Sequence, residues 1–174
     1  MNDPFTISTQ IRVLWLDTCT VAKIYIHEDG SENMRAVLAN NSIWLFTADY
    51  CIHELYGILK RKAMKEKTDA DYISLEEYVR IIFILNCHIY GKNIKVSNAK
   101  FTDAELFVEI QQIMREHDLD FVDAIQFVLI AKGMLGNLAG KSRPVLVSTD
   151  NGILKTAAQR GIPTWNPLSG PFVP

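Results

Sequence analysis

The chain has 174 residues, of which 48% are hydrophobic and 22% charged, with a net charge of −2. That length predicts one domain with a two-sided core, the balance is that of a soluble globular protein, and no apolar run reaches the ~20 residues needed to span a bilayer. The near-neutral charge neither requires nor excludes a nucleic-acid partner, because a local basic stripe is what binds phosphates.

The opening "MNDPFTISTQ" has no basic stretch leading into an apolar one, so no secretory signal is expected. Val13–Leu16 reads as a short buried strand, because four apolar residues are bounded by polar ones. A helical segment from about Thr20 to Tyr25 follows and breaks at "HEDGSEN". Ile43–Phe46 is a second buried strand, and Thr47 or Asp49 can cap a long helix running to about Lys67. Within it, "KRKAMKEK" carries five Lys or Arg and one Glu.

Residues 71–89 read as helical and end at Gly91, although "IIFILNCHIY" is ambiguous between helix and strand. Ile94–Val96 is a third strand. Thr102 and Glu105 have the spacing of a capping box, and the helix it opens carries Leu106, Phe107, Ile110, Ile113 and Met114 on one face. Asp120 starts a further helix, "DFVDAIQFVLIAKG", apolar nearly all round and therefore buried. "GNLAGKSRP" reads as a loop, Val145–Val147 as a strand, Asn151–Arg160 as a helix closed by Gly161, and Ile162–Trp165 as a last extended piece. "NPLSGPFVP" cannot continue regular structure. Apolar strands alternating with helices predict a three-layer α/β/α domain around a mostly parallel sheet, with ligands gathering beyond the carboxyl ends of the strands.

Two strands end alike. "VLWLD" closes on Asp17 and "VLVSTD" on Asp150, which places both carboxylates at the carboxyl edge of the sheet. Glu54 sits between Ile52 and Leu55 in the helix after the second strand. Asp123 sits in "FVDAIQFVLIA", where it and Gln126 are the only polar residues and share one helix face. Taken singly, Asp17 and Asp150 could each cap the helix that follows, Asp123 could complete a capping box opened by Asp120, and Glu54 could face solvent. Together, four carboxylates at one sheet edge would repel each other and raise one another's pKa values. A divalent cation resolves that repulsion, and oxygen ligands without His or Cys favour Mg2+ or Mn2+ over Zn2+. Carboxylate-held Mg2+ is the usual apparatus of phosphodiester hydrolysis. From Glu54, the same helix face carries Gly57, Arg61 and Lys65, which suits a phosphate backbone leading into the site and equally suits a solvated helix end.

The four histidines, His27, His53, His88 and His117, show no H-x-E or HExxH spacing and read as structural or surface groups. Cys19, Cys51 and Cys87 make no CxxC pair and read as reduced, buried thiols of a cytoplasmic protein. Phosphate-cradling glycine motifs and the GxSxG elbow are absent.

With these residues in place, the chain resembles the PIN-domain nucleases over about residues 11 to 168. "VLWLDTCTV" resembles the first family motif, carried to Asp17 with Thr18 as a supporting hydroxyl. "CIHELYGILKR" resembles the second, carried to Glu54. "LDFVDAIQFVLIAKG" resembles the third, which selects Asp123 over Asp120. "LVSTDNGILKTAAQRGIPTWNP" resembles the fourth, with Asp150 at the site and Ser148 supporting it. The chain departs at Cys19, where the family often has Asn or Ser, and in extra residues around 27–42 and 136–144. The resemblance implies a Mg2+- or Mn2+-dependent ribonuclease of the VapC type, a toxin restrained by a small antitoxin and commonly a homodimer. Two alternatives stay open: a PIN-like scaffold that binds RNA or protein without cutting, and a phosphatase of the haloacid-dehalogenase type. The second wants another Asp two residues after the first, where this chain has Cys19.

Overall fold

The computed structural model describes residues 12–99, 103–132 and 144–173. Its sheet has five strands: β1 (Arg12–Leu16), β2 (Ile43–Ala48), β3 (Ile94–Ser97), β4 (Val145–Val147) and β5 (Thr164–Trp165). They stand in the order β3-β2-β1-β4-β5, and every pairing is parallel. β1 lies at the centre, with Leu14 in register with Leu45 on one side and Val145 on the other.

Successive side chains of a strand point to opposite faces, and β1 shows why it must be apolar throughout. Leu14 and Leu16 enter one core with Val21, Leu45, Leu55, Leu59, Ile81 and Leu85. Val13 and Trp15 enter the other with Phe46, Ile110, Ile113, Ile125 and Ile153. The first core is roofed by α1 (Thr18–Tyr25), α2 (Ser31–Leu38), α3 (Asp49–Ala63) and α4 (Leu75–Tyr90). The second is roofed by α5 (Ala104–His117), α6 (Phe121–Lys132) and α7 (Asn151–Gln159). This is the expected three-layer α/β/α arrangement.

Several expectations need correction. A whole helix, α2, lies where only a break at "HEDGSEN" was read. Its start is built by Gly30 in the left-handed region (φ 82°) and by Ser31, whose hydroxyl donates to the Ile26 carbonyl and accepts from the Glu28 amide. Only Met34 and Val37 of its apolar residues are buried, so its periodicity is thin. α3 ends at Ala63 rather than near Lys67, and its N-cap is Ala48 without a side-chain bond. Thr47, one proposed cap, donates to the Leu16 carbonyl instead, tying β2 to β1. α5 is capped by Asp103, whose carboxylate accepts from the Glu105 and Leu106 amides. Thr102 lies outside the described residues, as does the loop read over 136–144 apart from Pro144. The ambiguous "IIFILNCHIY" is helical within α4. The tail forms a short 3-10 turn, Pro167–Ser169, against α2, where the Asn33 side-chain amide donates to the Pro167 carbonyl.

Candidate active site

Beyond the carboxyl ends of β1 and β4 lies a cleft of ≈ 330 Å³, and Asp17, Glu54, Asp123 and Asp150 all line it. Thr18, Cys19, Asp120 and Thr149 are also in its wall. Four different elements deliver the four acids, so the fold rather than local sequence brings them together.

Asp17 follows β1 directly, and its carbonyl accepts from the Thr20 and Val21 amides to start α1. It is buried, with 5% of its surface exposed, and its carboxylate is fully engaged. Oδ1 accepts from the Thr18 amide at 2.7 Å and from Gln126 Nε2 at 2.9 Å. Oδ2 accepts from Ser148 Oγ at 2.9 Å and from Cys19 Sγ at 3.0 Å. Ser148 is itself placed by β4 and accepts from the Asp150 amide, so one hydroxyl joins the ends of β1 and β4. Burial, then the neighbouring Asp17 charge, push the Cys19 thiol up to about 11. It therefore stays protonated and acts as a donor to Asp17.

Glu54 is on α3 and exposed; its Oε2 accepts from the Thr18 hydroxyl at 2.6 Å. Asp150 is exposed and caps α7, with Oδ1 accepting from the Gly152 amide at 2.6 Å and the Ile153 amide at 3.0 Å. Asp120 acts as a cap, accepting from the Asp123 amide at 2.9 Å. Asp123 faces the cleft from the first turn of α6. Burial first, then the charges of Asp120, Asp17, Asp150 and Glu54, raise its carboxyl to about 7. The cap and the cleft readings are therefore not exclusive for Asp17 and Asp150, which do both.

The outer residues are placed less evenly. Arg61 is exposed, and its guanidinium lies over Gly57, 3.7 Å from where a β-carbon would stand. Lys65 is bound at 2.7 Å to Asp71, which Lys62 also contacts at 3.1 Å. His88 accepts from or donates to the Tyr25 hydroxyl at 2.9 Å on α4, away from the acids. Of the cysteines only Cys51 is fully buried; Cys19 is half-buried and Cys87 exposed, which corrects the expectation of three buried thiols. Thr149, which lines the cleft and donates to Cys19 Sγ, and Gln126 stand at the site without an assignment from the sequence. For Gln126 the signal lies in its spacing of three from Asp123 within an otherwise apolar helix.

The donor set fits a hard divalent cation. The polar groups of the cleft wall, among the described residues, are carboxylates, hydroxyls and one protonated thiol, with no Lys or Arg. Among the described residues, however, no three or more His, Cys, Asp or Glu side chains stand close enough together to hold a metal ion as they are placed.

No family model and no curated protein sequence matches the chain. In structure it is similar to VapC20 of Mycobacterium tuberculosis, a toxin that cleaves the sarcin–ricin loop. The likeness has a TM-score of 0.56, covers 82% of this chain and 93% of that one, and carries 15% sequence identity. At that identity it establishes the fold, which is PIN-like.

Proposed function

We propose that the chain is a divalent-metal-dependent ribonuclease that hydrolyses RNA phosphodiester bonds, and that it is the toxin of a toxin–antitoxin pair. The observation that carries this reading is the meeting of Asp17, Glu54, Asp123 and Asp150 in one cleft, with no Lys or Arg among the described residues of its wall. Those four residues would hold Mg2+ or Mn2+, directly or through water. When bound, such an ion lowers the pKa of a water and stabilises charge on the phosphate oxygens.

The protein's own contributions follow from its hydrogen bonds. Asp17 is held in place by four donors. Thr18 orients Glu54. Asp123, with its carboxyl raised to about 7 by burial and the neighbouring acids, would give up its proton on binding an ion. Arg61 is the better placed of the two cations for an RNA backbone, because the charge of Lys65 is already answered by Asp71. VapC20, which is similar in structure, is a toxin that cleaves the sarcin–ricin loop, and this supports the reading at the level of shared architecture.

The same reading gives RNA as substrate, a small antitoxin as partner, a cytoplasmic setting and a homodimer. Pairing is supported by α4, which exposes Leu75, Val79 and Phe83 at successive turns, and Tyr90 beyond them. No described helix is long and apolar enough to cross a membrane.

The test is cleavage of RNA by wild type and Asp17→Asn in Mn2+. The expected result is loss of cleavage in a variant that keeps the wild-type circular dichroism spectrum. Full activity in that variant would sink the assignment. One observation favours a second reading, a PIN-like scaffold that binds RNA or protein without cutting: among the described residues no three His, Cys, Asp or Glu side chains are grouped closely enough to hold a metal ion. RNA affinity with no calorimetric Mn2+ binding would select it.

A further inference from the structure

Gln126 has no exposed surface and lies one turn beyond Asp123 on α6. Trp15 and Asp17 are two residues apart at the end of β1, so both point toward α6. The Trp15 indole, also with no exposed surface, donates to Gln126 Oε1 at 3.2 Å. Gln126 Nε2 then donates to Asp17 Oδ1 at 2.9 Å. Chemistry leaves the amide only one orientation. An indole N–H can only donate, so the amide oxygen must face Trp15 and its nitrogen is left facing Asp17. A buried amide with a polar group on each side is satisfied in that orientation alone, because a turned amide would bury an unpaired indole donor.

We propose that Gln126, set by Trp15, is a positioning residue that fixes the carboxylate plane of Asp17 and its separation from Asp123 for metal binding. The proposal rests on the reading of the cleft as a metal site. One side chain binds the acid at the end of β1, and the helix that carries it presents the second acid one turn earlier. The phase of α6 against the sheet is thereby locked at the place where two ligands must converge. Partners that orient metal-binding groups in this way alter affinity by about 10- to 100-fold when removed.

The experiment is calorimetric titration of Mn2+ into wild type, Gln126→Met and Trp15→Phe, with RNA cleavage measured beside it. Gln126→Met removes both bonds with little change of volume. Trp15→Phe removes only the outer bond and leaves the amide free to turn, so it carries the test if Gln126→Met does not fold. Expected is Mn2+ binding weakened by about 10-fold or more, with the half-saturating Mn2+ for cleavage raised in parallel and the KM for RNA unchanged. A merely structural pair would lower the melting temperature and leave the Mn2+ affinity of the folded protein as it was. Unchanged or tighter Mn2+ binding in the folded variants therefore overturns the proposal. If wild type itself binds no Mn2+, the metal reading fails, and this failure is distinct because it appears before any substitution.

Discussion

Asp17 and Asp123 face the same cleft from different surroundings. Asp17 accepts four hydrogen bonds, while Asp123 meets burial and four like charges. The consequence is a pH dependence with a definite sign. The folded Asp123 carboxyl titrates at about 7, above its ordinary value of 3.8. Between those limits the unfolded chain has released a proton that the native state keeps, so metal-free stability falls as pH rises through that window and levels off above it. Urea midpoints of the metal-free protein should show this slope, and Asp123→Asn should flatten it. The same slope in both proteins would contradict the assignment. Mn2+ acts in the opposite direction, and its stabilisation should grow with pH over the same range.

The elements follow patterns that the residues state openly in some places and conceal in others. β1, β2 and β4 are legible because a strand buried on both faces must be apolar at every position. The helix α6 is legible because it is apolar all round. In the same way Asp17 and Asp150 stand out as charges closing such strands. α2 was not legible, because a helix that buries little beyond Met34 and Val37 is held by the Gly30–Ser31 turn and its packing, not by its own periodicity. The end of α3 was overrun because its basic residues are good helix formers; the ion pairs of Lys62 and Lys65 with Asp71 instead accompany the turn that follows. At the site, Gln126 went unassigned because its role depends on a contact with Asp17 109 residues away. At this scale α4 offers a clean test. Ser74 caps it by accepting from the Glu77 amide at 3.0 Å. Ser74→Ala should cost about 1 kcal/mol in urea unfolding with no effect on RNA cleavage; a loss of cleavage without a loss of stability would contradict that separation.

At the scale of the whole molecule, two apolar cores clasp one parallel sheet, and the acidic cleft opens at the edge where the strands end. The helices α3 and α6 come from opposite faces and each contributes an acid, so the cleft exists only once both layers have packed. The exposed apolar stripe of α4 lies on the outer surface of one layer. If two copies pair through it, Phe83→Glu should shift the mass measured by light scattering from dimer to monomer while leaving the melting profile cooperative. An unchanged mass in a folded variant would remove α4 from the interface.

The central claim is that this cleft cuts RNA with a divalent ion held by its carboxylates. The most direct measurement is cleavage of a fluorophore–quencher RNA by purified protein stripped with EDTA, followed by addition of Mn2+. The account predicts a silent trace until the ion is added, then hydrolysis that Asp17→Asn does not show. Cleavage of equal rate in EDTA, or no cleavage by folded wild type in saturating Mn2+ on any RNA tested, would contradict it.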